Sequence, residues 1–376
     1  MEDRDLTDEQ RLLHQATVDF IADKLPMAAV RKLRDDPVGY DRNWLCGTAQ
    51  LGWYSMLIAE EHGGGDVTGH PIVDLAVVAD SVGRHLQPGP FIPMNVVGAA
   101  LSEYGTATQR KELLPRIAAG ELVATWAPLA ADGSWDAGAG LSVTRDEDEI
   151  VLRGSRGFVV EAPSADHLLA VGTLDGVPVQ VVVATSSVGV DVETLACFDL
   201  SRRVGRITFD DVRLPAPDLL GDGSAETTEQ LERQLQIAVV LACAETIGAL
   251  DEMFSMTVEY SKTRVAFGRP IGSFQALKHA MADQLLHLEG CKAAVAEATR
   301  IVDERGSDAA EIVSMTAAYV DEYASRIAQQ CLQVHGGIGF TWEHDLHLYM
   351  RRIRTTTSLW CERAWHYERL CEVCAP

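Results

Sequence analysis

Residues 227–267 read TTEQLERQLQIAVVLACAETIGALDEMFSMTVEYSKTRVAF, and the apolar side chains keep a helical period throughout. Between Arg233 and Asp251 every side chain is uncharged except that of Glu245. A helix with so little polar surface must be enclosed by other elements, so the chain has to build a bundle around it. The stretch 234–250 comes nearest to a membrane span, but its glutamines and Glu245 make it a buried helix instead. A lone carboxylate there has two readings. It is a base for proton transfer, or it is a structural group held by an arginine or histidine, because charges are seldom buried unpaired.

Two further helical patterns follow, SFQALKHAMADQLLHLEGCKAAVAEATRIVDERG and DAAEIVSMTAAYVDEYASRIAQQCLQVHGG. Paired glycines stop the latter, and a last helix starts near Glu343. The N-terminal part is helical as well. LTDEQRLLHQATVDFIADKL has Thr7 as its N-cap candidate, PIVDLAVVADSVGRHL forms a helix after the glycine-rich break EEHGGG, and GTATQRKELLPRIAAGE reads as a capped helix ended by Gly120. Between these zones the pattern changes. EIVLRGSRGFVV, HLLAVGTL, VPVQVVVAT, GVDVETL and RVGRITFDDVRL are short, β-branched and bounded by turns, as antiparallel strands are. The expected architecture is mainly α with a β-domain insert: an N-terminal helical domain over 1–123, a middle antiparallel β-domain over 124–222 and a C-terminal four-helix bundle over 223–376.

A chain of 376 residues exceeds one hydrophobic core, which agrees with this division. Its net charge of −23 repels nucleic acid and anionic membrane, so neither is an expected partner. Eight scattered cysteines fit a reducing cytoplasm better than a disulfide framework. The terminal CEVC has no second half for a zinc site, so no metal is expected. The opening MEDRDLTDEQ is acidic, unlike a signal or transit peptide.

Two stretches carry chemistry. In RVAFGRPIGSFQALKH (264–279) a helix ends, the chain turns through Gly268, Pro270 and Gly272, and Phe274 and Gln275 open the next helix. Arg264 and Arg269 flank that turn and suit a phosphate or pyrophosphate. In QVHGGIGF (333–340) glycines halt a helix and leave backbone N–H groups open to a ligand. Alone, each could equally be a glycine-punctuated helix end. In this order, together with EEHGGG and FDDVRLP and with a β insert between helical zones, they resemble the acyl-CoA dehydrogenase family over essentially the whole chain.

The resemblance implies FAD as cofactor, an acyl-CoA substrate, a tetrameric assembly and α,β-desaturation of the thioester, with electrons leaving through an electron-transferring flavoprotein. It further implies that Arg264, Phe267, Gln275, Gln333, Gly336 and Gly337 meet the pyrophosphate and adenosine end of an FAD held by a neighbouring subunit. The isoalloxazine side departs from the family. The loop that usually reads LTEPGAGSD is TWAPLAADGSWD (125–136) here, with Trp126 at the flavin-contacting threonine and Ala127 at the following acid. The second flavin segment, usually of the form F-I-S-N, is Phe158-Val159-Val160-Glu161, and Val160 has no hydroxyl to offer the ring.

The base departs too. Where one branch of the family carries it near the C-terminus, this chain has Leu359, Trp360 and Cys361. Where another carries it on the long helix, an ungapped count reaches Ala238. Glu245 lies seven residues on, on the same face and about 10 Å along the axis. Glu232 matches only with a gap. Glu245 is the candidate catalytic residue, with a buried structural role as its alternative.

Some actinobacterial acyl-CoA dehydrogenases have a similar division. They are α2β2 heterotetramers acting in several cases on bulky thioesters such as steroid side chains, and one subunit carries the flavin loops and base. This chain resembles the other subunit. The expectation is therefore one subunit of a heterotetramer with a paralogue. A self-sufficient homotetramer using Glu245, a flavin-free acyl-CoA-binding or scaffold subunit, and an oxidase or monooxygenase on the same scaffold are the alternatives.

Overall fold

A computed structural model describes residues 6–136, 139–220 and 226–374. The N-terminal zone holds α1 (Asp8–Lys24), α2 (Met27–Val30), α3 (Arg42–Gln50), α4 (Pro71–Arg84), α5 (Phe91–Tyr104) and α6 (Ala107–Ala118). Thr7 caps α1 through a capping box: its Oγ1 accepts from Gln10 N, and Gln10 Oε1 accepts from Thr7 N, each at 3.2 Å. Thr106 and Gln109 repeat the device on α6, which Gly120 follows at φ +68°. Helix α5 has no polar stripe, because nearly every side chain from Phe91 to Leu101 is buried.

The middle zone is a mixed sheet of β1 (Ala124–Ala127), β2 (Leu141–Asp146), β3 (Glu149–Val160), β4 (His167–Leu174), β5 (Val177–Ala184), β6 (Val190–Leu195), β7 (Val204–Pro215) and β8 (Leu219–Leu220). The order is β6-β7-β3-β2-β4-β5-β8, with β1 against β4. Most pairs are antiparallel, as alternating turns require. The exceptions are β1 and β2, which both run parallel to β4.

The C-terminal zone comprises α7 (Glu226–Thr263), α8 (Gln275–Asp303), α9 (Ala309–His335), α10 (Leu346–Trp360) and α11 (Arg363–Val373). Helix α7 is the axis of the molecule and packs on α4, α5, α8, α9 and α10. The single final helix expected from Glu343 is two helices. Asp345 precedes α10, and the chain breaks at Cys361 and Glu362 before α11.

Helices α4 and α7 cross with their backbones almost in contact. A Cβ on Gly83 would stand 1.8 Å from Glu245 O, and one on Gly248 1.9 Å from Asp80 O. Two glycines set face to face therefore fix where Glu245 sits. Among the described residues, no helix is long and apolar enough to cross a membrane.

Candidate functional site

The two glycine-punctuated motifs come together at one end of the bundle. Tyr260, in the last turns of α7, stacks on His335 at the end of α9, with ring centroids 4.3 Å apart and planes 19° from parallel. His335 Nδ1 also bonds Cys331 O at 2.9 Å, so the ring is a packing element between the motifs. After α7 the chain forms a small hairpin of β9 (Val265–Ala266) and β10 (Arg269–Pro270). Its tip, Phe267 and Gly268, has φ of +53° and +78°, a turn with both central residues left-handed. Phe267 is thus held strained and 96 % exposed. Arg269 lies over the Phe274 ring at 4.1 Å.

Arg264, Gln275, Gln333, Gly336 and Gly337 are all exposed at this end. Gly336 takes φ +63° and ψ −143°, which only glycine adopts freely. Among the described residues, nothing lies within 4 Å of where a Cβ would stand on Gly336 or Gly337. The surface is open and carries Arg264 and Arg269, with the exposed Phe267 at its tip. These residues fit the pyrophosphate and adenosine half of a dinucleotide.

The other half of the site differs. Trp126 on β1 stacks on Trp360 at the end of α10, with centroids 6.2 Å apart and planes 10° from parallel. Trp135 and Trp365 extend the pair into a cluster of four indoles. Both stacked rings are buried. Val160 is buried as well, and its carbonyl accepts from Thr125 Oγ1 at 2.6 Å. The two positions where the family places a ring contact and a base are thus brought together, but as indole on indole. A mainly apolar cavity of about 640 Å³ opens beside them, lined by Phe158, Phe198, Leu332, Phe340, Arg354 and Leu359. Its size suits a small-molecule ligand. Ser325, Thr355 and Ser358 add hydroxyls to its walls, while the position of the family's ring-contacting hydroxyl is filled by the buried Val160.

Of the two readings of Glu245, base and buried structural carboxylate, the geometry around it supports the second. The residue is 0 % exposed, and Arg202 Nη2 donates to both of its carboxylate oxygens. Arg352 Nη1 donates to Oε1 at 3.0 Å. Arg352 also donates to Asp199 through Nε, to Ser201 Oγ at 2.8 Å, and to the carbonyls of Gln87 and Leu86 at 3.1 and 3.3 Å. Two arginines and two carboxylates form a neutral buried network. It ties α7 and α10 to the loop between β6 and β7 and to the chain after α4. Burial alone would raise Asp199, but Arg352 and Arg202 outweigh it and hold that carboxyl below its ordinary range. Both carboxylate oxygens thus accept from arginines inside a buried network, as the structural alternative expects.

Glu232, the gapped alternative, is also engaged. It accepts from Gln236 Nε2 at 2.7 Å and from Arg369 Nη2. The partners of Glu245 lie 43 and 107 residues away in sequence, and no local pattern pairs them. The nearest hint was the doubled arginine in FDLSRRVG. Among the described residues, no group of three or more His, Cys, Asp or Glu is placed to hold a metal ion.

Comparison with known proteins shows the family and the fold. The family described as "Acyl-CoA dehydrogenase, N-terminal domain" matches residues 7–121, and "Acyl-CoA dehydrogenase, C-terminal domain" matches residues 228–359. The acyl-CoA dehydrogenase IpdE2 of Mycobacterium tuberculosis is 30% identical over 353 residues, 94% of this chain and 93% of that protein. The fold is shared with the ChsE4-ChsE5 complex from Mycobacterium tuberculosis, at TM-score 0.89, 22% identity and 99% coverage of both chains. It is also shared with the Tcur3481-Tcur3483 steroid ACAD, at TM-score 0.88, 24% identity and 98% coverage of both. The chain belongs to the acyl-CoA dehydrogenase family, flavoprotein oxidoreductases that act on CH–CH groups.

Proposed function

We propose that this chain is one of two unlike subunits of an FAD-dependent acyl-CoA dehydrogenase that desaturates an acyl-CoA thioester between its α- and β-carbons. The observation that carries this reading is the stack of Trp126 on Trp360, which fills the positions of ring contact and base with two buried indoles. An interface site needs only one copy of each half. This chain offers the open half at the end of α7 and α9. Arg264 would neutralise pyrophosphate charge, the N–H groups around Gly336 and Gly337 would hold its oxygens, and Gln275 and Gln333 would orient it. Phe267 would cover the adenosine end from water. The bound flavin supplies the acceptor for the hydride leaving the β-carbon. The α-proton would be taken by a carboxylate of the partner subunit. Complexes named for two subunits share this fold, which supports the assembly without fixing the partner.

An electron-transferring flavoprotein is the expected acceptor of the electrons. All eight cysteines are free, including Cys243 and Cys361 with sulfurs 3.5 Å apart, which supports a reducing compartment such as the cytoplasm. The cavity beside Phe158 favours a second reading, in which the chain alone holds a flavin as a homotetramer. Purification alone and after co-expression with a neighbouring family member separates the two. The heteromer reading expects a colourless chain that acquires one flavin per pair and desaturase activity only with its partner. A yellow, active homotetramer overturns it. A chain that stays flavin-free with every partner is a binding or scaffold subunit.

A further inference from the structure

The CEVC stretch at 371–374 takes no part in the flavin surface, and its two cysteines are the exposed ones. Cys46 and Cys197 are half-buried, and the other four are buried. Burial pushes the thiols of Cys291 and Cys331 up to about 12 and about 11, which makes them inert. Cys371 lies in the last turn of α11, and Cys374 is the C-cap of that helix. Residues three apart on a helix are neighbours, with Cβ atoms about 5–6 Å apart. A disulfide needs about 3.5–4.5 Å between them. The helix end can supply the difference. Cys374 has φ −91° and ψ 3°, outside regular helical geometry, and tightening the last turn toward a 3₁₀ helix sets the two residues one over the other. The thiols already feel each other. Desolvation, the Glu311 carboxylate and Cys371 hold the Cys374 thiol above its ordinary value, and Glu311 accepts its S–H. Cys374 is thus kept protonated, which leaves Cys371 as the first nucleophile.

We propose that Cys371 and Cys374 form a redox-modification site that exchanges with small disulfides and closes to an internal disulfide. The Cys371 thiolate attacks one sulfur of the small disulfide, so that a mixed disulfide forms and one thiolate leaves. Cys374 then loses its proton to solvent, attacks the Cys371 sulfur and displaces the second thiolate. The pair has lost two electrons, the small disulfide has been reduced to two thiols, and the two protons end on those thiols. With its S–H gone, Cys374 no longer donates to Glu311, which removes a tie between α11 and the first turn of α9.

The test incubates the reduced, folded full chain with oxidised glutathione at about pH 8, where exposed thiols are partly ionised. Remaining thiols are then alkylated and the peptides mapped by mass. The expected product is lighter by two hydrogens, carries no glutathione, joins Cys371 to Cys374 and is reversed by dithiothreitol. Cys374→Ser should stop at one glutathione on Cys371. Cys371→Ser should take up glutathione on Cys374 about threefold or more slowly, because that thiol is less ionised. Both positions are exposed, so serine there leaves the fold intact. Glutathione retained on both cysteines without a bridge overturns the proposal. So does a bridge to any other cysteine, or an unreacted pair when a free cysteine peptide in the same solution has exchanged completely. Flavin and the partner subunit enter none of these readouts, so the heteromer reading stands or falls separately.

Discussion

Arg352 Nη1 stands 3.0 Å from Glu245 Oε1, and neither side chain reaches solvent. One belongs to α10 and the other to α7, and Arg202 closes the network from the β-domain. Such a network is neutral only while every member is present. Glu245→Gln leaves two buried guanidiniums facing Asp199 alone. The expected loss is about 3–5 kcal/mol of unfolding free energy, read by denaturant titration. Turnover per bound flavin in the assembled complex should be unchanged. A catalytic base would instead lose about 100-fold or more in turnover.

The open end of the bundle predicts the opposite separation. Arg264 and Gln333 are exposed, so Arg264→Ala or Gln333→Ala should change the stability of the free chain by no more than about 0.5 kcal/mol. In the co-purified complex the same substitutions should lower the flavin-to-protein ratio, and the deficit from Arg264→Ala should be largest at low salt and shrink as salt rises, because screening weakens the contact that Arg264 makes. Absorbance of the complex across a salt series checks this. Unaltered flavin content would detach this surface from the cofactor.

Glu161 gives the chain a pH dependence of its own. It is 1 % exposed, Oε1 accepts from Arg203 N at 3.3 Å, and Oε2 has no partner among the described residues. Burial pushes its carboxyl up to about 7, although the Arg203 backbone N–H and Arg202, Arg203 and Arg352 pull it down. The folded form therefore prefers the proton. Stability from this group is complete below its ordinary value of 4.5 and is lost as pH rises through 7. At about 1.4 kcal/mol per unit, the loss is of the order of 3 kcal/mol by pH 8. Glu161→Gln should recover most of it at pH 8 and change little at pH 4.5, measured by urea unfolding at the two pH values.

What could be read from the chain was what local pattern encodes. The period of α7, the Thr7 cap and the two glycine-stopped motifs each depend on neighbours within a few turns, and they led to the right architecture. Helix α5 escaped because a helix buried on all sides has no stripe to read. The break after Trp360 escaped because no proline or glycine marks it. Trp126 and Trp360 were legible as departures from the family but not as a pair, since 234 residues of sequence separate their stacked rings. Glu245 was conspicuous for the right reason, its isolation. Its partners, Arg202 and Arg352, lie too far away in sequence to leave a local sign.

The crossing of α4 and α7 places all of this, and it rests on Gly83 and Gly248. Gly248→Ala would drive a methyl group to 1.9 Å from Asp80 O, a backbone atom that cannot rotate away. The helices must separate, and the first groups to lose contact are those one turn off, Glu245 among them. Overpacking a core usually costs about 1–3 kcal/mol, and a clash with backbone belongs at the upper end. Because the shift also strains the Glu245–Arg352 pair, the effects of Gly248→Ala and Glu245→Gln should be non-additive. The double variant should be less destabilised than the sum of the singles by about 1 kcal/mol or more. Denaturant titration of the four proteins of that cycle is the measurement. Strict additivity would mean that the crossing and the ionic network are independent.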